Sequence, residues 1–340
     1  MSKLMDKILG EIKNPYAAVY ADSEIVDKNF NDFSPTPVKM LNVALSGRWD
    51  GGITPGITIF AGESKMGKTY IGLVCVKAYM DKYPDSICIF MDTELGAGKE
   101  YFRGLGIDSE RILHLPVENI EEAKFQLVKI LNTLDKNEKA IIFFDSIGNV
   151  ASKKEVEDAE EGKSVADMSR AKALKSFFRV CTMKLILRGI PFIGIAHTYK
   201  TQDFFPKDIV GGGTGSVYTS NSTFILSKSK ETENSNSNIV GFNFNLKVYK
   251  SRFVKEGKVF TLNSNFIDGI DPYSGLFEWC LENGYIVSPS RGFYSKHPKY
   301  GDEKKYRKSE FEHNPEIWKD FENDEEFIRD YENFYRLVKN

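Results

Sequence analysis

The segment GITIFAGESKMGKTYIGLVCVKAYM, residues 56–80, joins an apolar run to a helix-like stretch through a short glycine-containing loop. Gly62, Gly67, Lys68 and Thr69 satisfy the spacing G-x-x-x-x-G-K-[ST]. Chance alone would give such a match in about one chain of this length in a hundred. A strand before the motif and a helix after it are the context that the motif requires. The segment therefore predicts a strand, a P-loop and a helix, in that order.

A P-loop binds the phosphates of a nucleotide with its backbone N–H groups and with the N-terminus of the helix that follows. We expect Lys68 to reach the β- and γ-phosphates of ATP and the Thr69 hydroxyl to bind Mg²⁺. The run AIIFFDS ends another apolar strand in Asp145, the expected Mg²⁺-organising carboxylate. The predicted nucleotide contacts are the loop residues Gly62, Glu63, Ser64, Lys65, Met66, Gly67, Lys68, Thr69 and Tyr70.

Hydrolysis of ATP needs a further group that orients water toward the γ-phosphate. The stretch CIFMDTELG offers Asp92 and Glu94 at the end of a neighbouring strand. Strand alternation points both side chains to one side, and the longer Glu94 has the better reach. A solvated loop acid would give the same pattern, so these residues alone leave the choice open.

Strand-like and helix-like runs alternate between Pro37 and Asp271. Unbroken apolar runs are typical of strands buried on both faces of a parallel sheet. The predicted strands are residues 57–60, 86–91, 140–144, 191–196 and 222–226. Alternating patterns at 241–252 and 258–262 predict antiparallel strands at the edge of that sheet. This order predicts an α/β fold with a doubly wound, mostly parallel sheet.

Two of the intervening helices carry start signals. Asn119 precedes one periodic stretch, with Glu122 three residues later, and Ser164 precedes another, with Asp167 three residues later. An N-cap side chain followed by an acid at this spacing is typical of a helix start.

The two ends of the chain carry amphipathic patterns. Leu4, Ile8 and Ile12 lie at i, i+4 spacing, which predicts a short helix with one apolar face. This face would cover either the core of its own chain or a neighbouring subunit. Near the other end, the pattern predicts a helix whose apolar face is formed by Phe327, Tyr331, Phe334 and Val338.

Size and composition restrict the class of protein. The 340 residues suffice for about two domains. The four cysteines show no C-x-x-C spacing, which favours reduced core residues in a cytoplasmic protein. No apolar run approaches the roughly 18 residues of a membrane span, so we expect no membrane partner. The net charge of −2 gives no general attraction for nucleic acid, so any such site must be local.

Several motifs occur together and in a fixed order. They include LNVALSGRWDGGITPGITIFAGESKMGKT (41–69), IFMDTELG (89–96), FFDSIGNVASKKEVEDA (143–159), IAHTYKTQ (195–202), VGGGTG (210–215) and GIDPYSGL (269–276). With these motifs the chain resembles the RecA-type recombinases, most closely the UvsX-type recombinases of bacteriophages, over residues 30–280.

The resemblance implies an enzyme that uses ATP and Mg²⁺, polymerises as a helical filament on single-stranded DNA, and promotes homologous pairing and strand exchange with double-stranded DNA. It implies three parts: an N-terminal helix for subunit contact (1–30), a RecA-like ATPase core with DNA-binding loops (31–272), and a small C-terminal α+β domain (273–340). A loader or mediator and a single-strand-binding protein are the accessory partners to expect. The expected location is the cytoplasm, that of a bacterial host if the chain is phage-encoded.

The resemblance also implies roles for single residues. Glu94 falls on the catalytic glutamate of the family. Tyr101 falls on the aromatic residue that stacks on adenine, although simple packing would suit the same ring. His197 ends a strand where bacterial RecA proteins have a glutamine that senses the γ-phosphate. UvsX-type proteins have NHT at this point, whereas Ala196 precedes His197 here.

Two segments are the expected DNA-binding loops of the family. The stretch 198–222 shows no clear periodicity. It would be the second loop, although a mobile lid over the nucleotide would fit the same pattern. Its predicted contacts are Lys200, Phe204, Phe205, Lys207, Gly211, Gly212, Gly213 and Thr214. The first loop would lie in the acidic segment 152–165, where Lys153, Lys154 and Lys163 compete as contacts with Arg170 and Lys172 of the following helix.

Lys250 and Arg252 continue the apolar face of one predicted edge strand as a cationic one. A solubilising strand end would give the same pattern. The resemblance implies that these two residues reach the ATP of the neighbouring subunit and take part in its hydrolysis.

Three other classes of protein share parts of this pattern. A RecA-fold ring helicase would also need Glu94 and a cation from a neighbour, but the second loop with GGGTG favours a recombinase. A non-hydrolysing DNA-binding mediator would not need Lys68, Glu94 and Asp145 together. A small-molecule kinase would need an arginine-rich lid after the P-loop helix, which the sequence lacks.

Overall fold

The computed structural model describes residues 3–135, 137–163, 169–202, 204, 206–232, 238–301 and 304–338. Its strands are β1 Gly56–Gly62, β2 Ile87–Asp92, β3 Ile112–Pro116, β4 Ala140–Asp145, β5 Pro191–Lys200, β6 Asp208–Val210, β7 Ser222–Thr232, β8 Ile239–Ser251, β9 Val259–Asn265, β10 Gly269–Ile270, β11 Ile286–Ser290 and β12 Phe293–Lys296. Its α-helices are α1 Lys3–Glu11, α2 Glu24–Asn31, α3 Lys39–Ser46, α4 Lys68–Lys82, α5 Lys99–Gly104, α6 Ile120–Thr133, α7 Lys153–Glu160, α8 Ser169–Arg188, α9 Thr214–Thr219, α10 Leu276–Glu282, α11 Lys308–His313, α12 Lys319–Glu322 and α13 Glu325–Tyr335.

One large sheet organises the molecule. In the part of the chain that the structure describes, ten strands pair in the order β10-β9-β8-β7-β1-β5-β4-β2-β3, with β6 on β5. The strands from β7 to β3 in this order run parallel, and β8, β9 and β10 continue the sheet antiparallel. This confirms the doubly wound, mostly parallel sheet and its antiparallel edge. Because β1 lies between β5 and β7, the P-loop leaves the middle of the carboxyl edge, where α/β sheets bind ligands.

The sequence did not predict β3 and β6. β3 is the last strand of the sheet and β6 has only three residues, so neither produces a long buried apolar run. The predicted core strands do produce one because both faces of the sheet are covered. Ile59 packs in the layer with α6 and α8, and the next residue, Phe60, packs in the layer with α4.

The last helix buries part of the predicted face: Phe327 and Tyr331 are buried as expected, and Tyr335 joins them. α13 buries Phe327, Tyr331 and Tyr335, which follow each other at four-residue spacing on one side of the helix. Phe334 and Val338 were expected on that face but are 37% and 75% exposed. The buried row is centred on Tyr331, so Phe334 lies at its margin, where its ring still contacts Trp279, and the helix ends at Tyr335, before Val338.

The C-terminal segment packs on Trp49, which follows α3. The indole meets the rings of Phe327 and Tyr331 edge-on, with centroids 5.5 Å apart in each pair. The Trp49 backbone N–H donates to Glu332 Oε1 at 2.9 Å. The division of the chain at residues 272 and 273 stays a prediction.

Other sequence expectations concern single elements. Asn119 caps α6 by accepting from the Glu122 backbone N–H at 2.9 Å, which confirms that helix start. Ser164 and Asp167 lie outside the described residues. The four cysteines are buried free thiols, as predicted. Among the described helices, none combines the length and hydropathy needed to cross a bilayer.

Candidate nucleotide and DNA site

The P-loop connects β1 to α4. Gly67, at the N-cap of α4, has a left-handed backbone with φ 85°. A Cβ atom there would lie 2.4 Å from the Phe244 ring, so this position requires glycine. Lys68 is buried, and its Nζ donates to the Glu63 carbonyl at 2.7 Å. The lysine of the motif thus bridges the two ends of its own loop.

Thr69 and Asp145 meet beside the P-loop. Thr69 Oγ1 donates to Asp145 Oδ2 at 2.7 Å. Burial raises the pKa of Asp145 to about 6, the charges of Glu94 and Asp92 add to this, and Thr69 and Lys68 oppose it. A hydroxyl and a buried carboxylate fit Mg²⁺, which takes few protein oxygens and completes its shell with water and phosphate.

Asp92, the other acid weighed for water activation, has a structural environment. It is buried at the end of β2. Its Oδ1 accepts from the backbone N–H groups of Glu94 and Leu95 at 3.0 and 2.8 Å. Asp92 therefore shapes the loop that carries Glu94, which leaves Glu94 as the candidate that faces the site.

The Glu94 carboxylate is a hydrogen-bond centre. Its Oε1 accepts from Ser146 Oγ at 2.6 Å and Asn149 Nδ2 at 2.7 Å, and it lies 3.1 Å from His197 Nε2. Burial would raise the pKa of Glu94, but the bonds from Ser146 and His197 and the charges of His197 and Lys68 hold it below its usual value. An ionised carboxylate can accept a proton from water, as the predicted role requires. The sensor role of His197 stays a prediction.

The expected adenine side of the site lies next to α4 and α5. Tyr101, in α5, is 39% exposed, and burial, with the nearby Tyr70 and Asp145, raises the pKa of its hydroxyl to about 12. A cleft of about 640 Å³ runs along α4, from Tyr70 to Asp81. Tyr70, Phe244 and Phe266 line this cleft, whereas its described lining does not include Tyr101. Stacking of Tyr101 on adenine therefore stays a prediction.

The stretch after His197 is more regular than its sequence indicates. β5 continues through His197 to Lys200 and pairs antiparallel with β6. A short helix, α9, then begins at Thr214, whose side chain lies outside the described part of the chain. The pairing brings together residues eight to twelve positions apart, which local periodicity does not reveal.

The outer part of this hairpin carries several predicted DNA contacts. Phe204 is 93% exposed, and Lys207 is exposed as well. Lys200 Nζ forms an ion pair with Asp208 Oδ1 at 2.5 Å, across the two strands. Phe205 lies outside the described residues. DNA contact by these residues stays a prediction.

The glycines lie at the base of the hairpin. A Cβ on Gly211 would lie 2.8 Å from the His197 carbonyl, and one on Gly212 would lie 2.6 Å from Ile147 Cγ2. Gly212 and Gly213 also have left-handed φ values of 88° and 77°. These glycines allow the hairpin to pack closely on the turn after β4, and their contact with DNA is untested.

The first predicted DNA segment includes α7, which Ser152 caps. Arg170, weighed as a DNA contact, donates instead to the backbone around that segment. Its Nε donates to the Val150 carbonyl at 2.8 Å, and its Nη2 donates to the Gly148 carbonyl. The guanidinium thus has partners within the chain, and its contact with DNA stays a prediction.

Lys250 is tied to the end of α9. Its Nζ donates to the carbonyls of Val217, Tyr218 and Ser220 at 2.7, 2.9 and 2.8 Å. Burial and the nearby charge of Arg252 lower the pKa of Lys250. Arg252 is exposed. Contact of either residue with the ATP of a neighbour stays a prediction.

Sequence reasoning missed three contacts of this site, the first being the bond from Ser146 Oγ to Glu94. Asn149 bonds to Glu94, and the signal for it was its place only four residues after Asp145, at the same strand end. His114 Nε2 lies 3.1 Å from Asp92 Oδ2. His114 could not be found in this way because it lies on β3, a strand that the sequence did not predict.

A P-loop at a central parallel strand, a Thr–Asp pair beside it and a glutamate on the neighbouring strand end define a RecA-type nucleotide-binding core. The family model described as bacteriophage T4 recombination and repair protein, C-terminal domain, matches residues 273–331. The chain is 44% identical to the recombination and repair protein of Enterobacteria phage T4 over 79% of this chain and 68% of that protein.

Bacterial proteins match at lower identity. The identity is 26% to the RecA protein of Cutibacterium acnes, over 83% of this chain and 79% of that protein. It is 24% to the RecA protein of Mesorhizobium japonicum, over 93% and 85%. The chain belongs to the family of the T4 recombination and repair protein, the UvsX-type relatives of RecA, which confirms the resemblance.

Proposed function

We propose that this chain is an ATP-dependent DNA recombinase that forms helical filaments on single-stranded DNA and promotes homologous pairing and strand exchange. Membership of the family supports this proposal. The observation that carries it is the 3.1 Å contact between Glu94 and His197, which stands at the base of the predicted DNA hairpin. The groups for ATP hydrolysis and the segment for DNA binding thus share one hydrogen-bonded centre.

The residues of the nucleotide site have different roles in the binding and hydrolysis of ATP. The P-loop N–H groups bind the phosphates of ATP, and Lys68 exchanges the Glu63 carbonyl for phosphate oxygens. Thr69 and Asp145 would hold Mg²⁺, which would neutralise charge on the phosphates. Glu94 orients the attacking water and accepts its proton.

Assembly completes the proposal. In α1 and just after it, Leu4, Ile8 and Ile12 are 65%, 48% and 45% exposed, an apolar stripe that suits packing on a neighbouring protomer. Lys250 and Arg252 would supply charge to the neighbour's γ-phosphate, which links hydrolysis to filament growth. We extend the proposal to a loader and a single-strand-binding protein as partners, acting in the cytoplasm of a bacterial host.

Strand exchange between a single-stranded circle and a linear duplex tests the function. We expect joint molecules with ATP and Mg²⁺ when the duplex is homologous, and none when ATP is left out or the duplex is heterologous. Unwinding that does not depend on homology would contradict the proposal in favour of a helicase. DNA binding with no ATP hydrolysis would contradict it in favour of a mediator.

A further inference from the structure

The turn that follows β4, residues 146–150, supplies two donors to the proposed catalytic carboxylate. Glu94 Oε1 accepts from Ser146 Oγ at 2.6 Å and from Asn149 Nδ2 at 2.7 Å. An ionised carboxylate only accepts, so the amide of Asn149 must present its nitrogen to Glu94. Hydrogen bonds to a charged group are shorter and stronger than neutral ones. The Asn149 amide therefore restricts the direction in which the Glu94 carboxylate points.

Asn149 contributes little to folding. The residue is exposed in the structure, so its amide can bond to water instead of to Glu94 at small cost. Substitution of an exposed residue away from caps and strained turns changes stability little. Effects of a change at Asn149 on the reaction therefore report on Glu94.

Arg170 fixes the turn that carries Asn149. Its Nε donates to the Val150 carbonyl at 2.8 Å and its Nη2 to the Gly148 carbonyl, so the guanidinium holds the residues on both sides of Asn149. The rigid fork of arginine can hold two carbonyls at once in a way that lysine cannot reproduce. On the other side, a Cβ on Gly148 would lie 3.1 Å from His197 Cδ2. The turn is thus held between α8 and β5.

We propose that Asn149 is a positioning residue for Glu94 and that Arg170 acts on the reaction through the turn of Asn149. This inference rests on the proposed function, in which Glu94 orients the attacking water. Without the amide, the carboxylate rotates away from that water, while ATP and DNA still bind. A direct DNA contact of Arg170 would instead depend on its charge alone.

Three substitutions of Asn149 separate positioning from packing. Asn149→Gln keeps an amide donor, Asn149→Ala removes it, and Asn149→Asp keeps the shape but places a second carboxylate against Glu94. We expect kcat for ATP hydrolysis at saturating single-stranded DNA to fall about tenfold for the alanine variant. It should fall further for the aspartate variant and stay within about threefold for the glutamine variant. The KM for ATP and the Kd for DNA with a non-hydrolysable ATP analogue should stay unchanged.

The ranking of the three Asn149 variants by kcat decides between a positioning role and a packing role. An aspartate variant as active as the wild type or more active than the alanine variant would overturn the proposal, because a packing role is best served by the isosteric side chain. A loss shared equally by KM, DNA binding and kcat would overturn it as well. Wild-type protein and Glu94→Gln accompany the series. If the wild type shows no DNA-dependent ATP hydrolysis, the proposed function fails. If the wild type hydrolyses ATP, Glu94→Gln does not, and all Asn149 variants have the kcat of the wild type, the inference about Asn149 fails while the proposed function stands.

Arg170→Lys and Arg170→Ala test whether Arg170 acts on the reaction through the turn that carries Asn149. Lysine keeps the positive charge but not the grip on two carbonyls, so we expect both variants to lower kcat to a similar extent with DNA affinity unchanged. Weaker DNA binding in Arg170→Ala that Arg170→Lys restores, with wild-type kcat at saturating DNA in both variants, would overturn the proposal and identify Arg170 as a DNA contact.

Discussion

Asp145 shows how a single buried acid can serve binding at the expense of stability. The residue is 7% exposed, and its carboxyl group lies beside Thr69. Burial is the main reason why the pKa of this carboxyl is about 6, against an ordinary value of 3.8. The native state therefore binds a proton more tightly than the unfolded chain. Stability from this group is largest at low pH and is lost as the pH rises through about 6.

Asp145→Asn should stabilise the chain measured without nucleotide. Asparagine stays neutral, so the advantage of the variant should grow by about 1 kcal/mol between pH 5 and pH 8. The free energy of unfolding in urea at the two pH values measures this effect, with the exposed Asp85→Asn as the matched control. Equal free energies for variant and wild type at both pH values would contradict the assignment. The same variant should lose Mg²⁺-dependent ATP hydrolysis.

At the scale of elements, Lys250 joins the edge of the sheet to the helix after the predicted DNA hairpin. Its ammonium group holds three carbonyls at the end of α9, where a helix leaves acceptors without helical partners. Arg252, which lies just beyond the end of β8, is exposed. Within one protomer the two cations that the family resemblance pairs therefore have different environments: Lys250 is bound by carbonyls of its own chain, and Arg252 is exposed to solvent.

Substitution by methionine should distinguish the roles of Lys250 and Arg252 in folding and in ATP hydrolysis. We expect Lys250→Met to lower the free energy of unfolding by about 1 to 2 kcal/mol, because the carbonyls of α9 lose their donor. Arg252→Met should leave it unchanged. If both residues reach the neighbour's ATP, each variant should also lower DNA-stimulated hydrolysis at least about tenfold. Loss of hydrolysis in Lys250→Met alone would point to a folding role for Lys250 and none for Arg252.

The elements also show which parts of the molecule the sequence can predict. The P-loop and the core strands were predictable because glycine spacing and unbroken apolar runs are local signals. Asp145 followed from its place at the end of such a run. β3, the hairpin of β5 and β6, and the Asn149 contact depend on pairing between distant residues, which a local pattern does not contain. The face of α13 was predicted in part: Phe327 and Tyr331 are buried, whereas Phe334 lies at the margin of the buried row and Val338 lies beyond the end of the helix.

At the scale of the whole molecule, α1 leaves an apolar stripe exposed at one end of the chain. It buries none of its own residues. If this stripe packs on the next protomer, replacing one of its side chains should weaken assembly but not folding.

Ile8→Ser tests this, with Lys7→Ser on the polar side of α1 as the matched control. We expect Ile8→Ser to raise the protein concentration needed for sedimentation with ATP and single-stranded DNA by about tenfold, because a buried isoleucine is worth roughly 1.5 to 3 kcal/mol. The thermal unfolding midpoint of the dilute protein should not change. An unaltered sedimentation curve, or the same shift in both variants, would exclude α1 as the contact.

The packing of α13 on Trp49 restricts which segments of this chain can be exchanged with those of a relative by recombination between their genes. An indole in the first part of the chain is enclosed by rings from the last part, so the packing of each depends on the other. A hybrid whose C-terminal segment came from a distant relative would lack the rings that pack against Trp49. Viable crossovers are expected to move residues 39–49 and 325–335 together, or to fall where both parents carry the same rings.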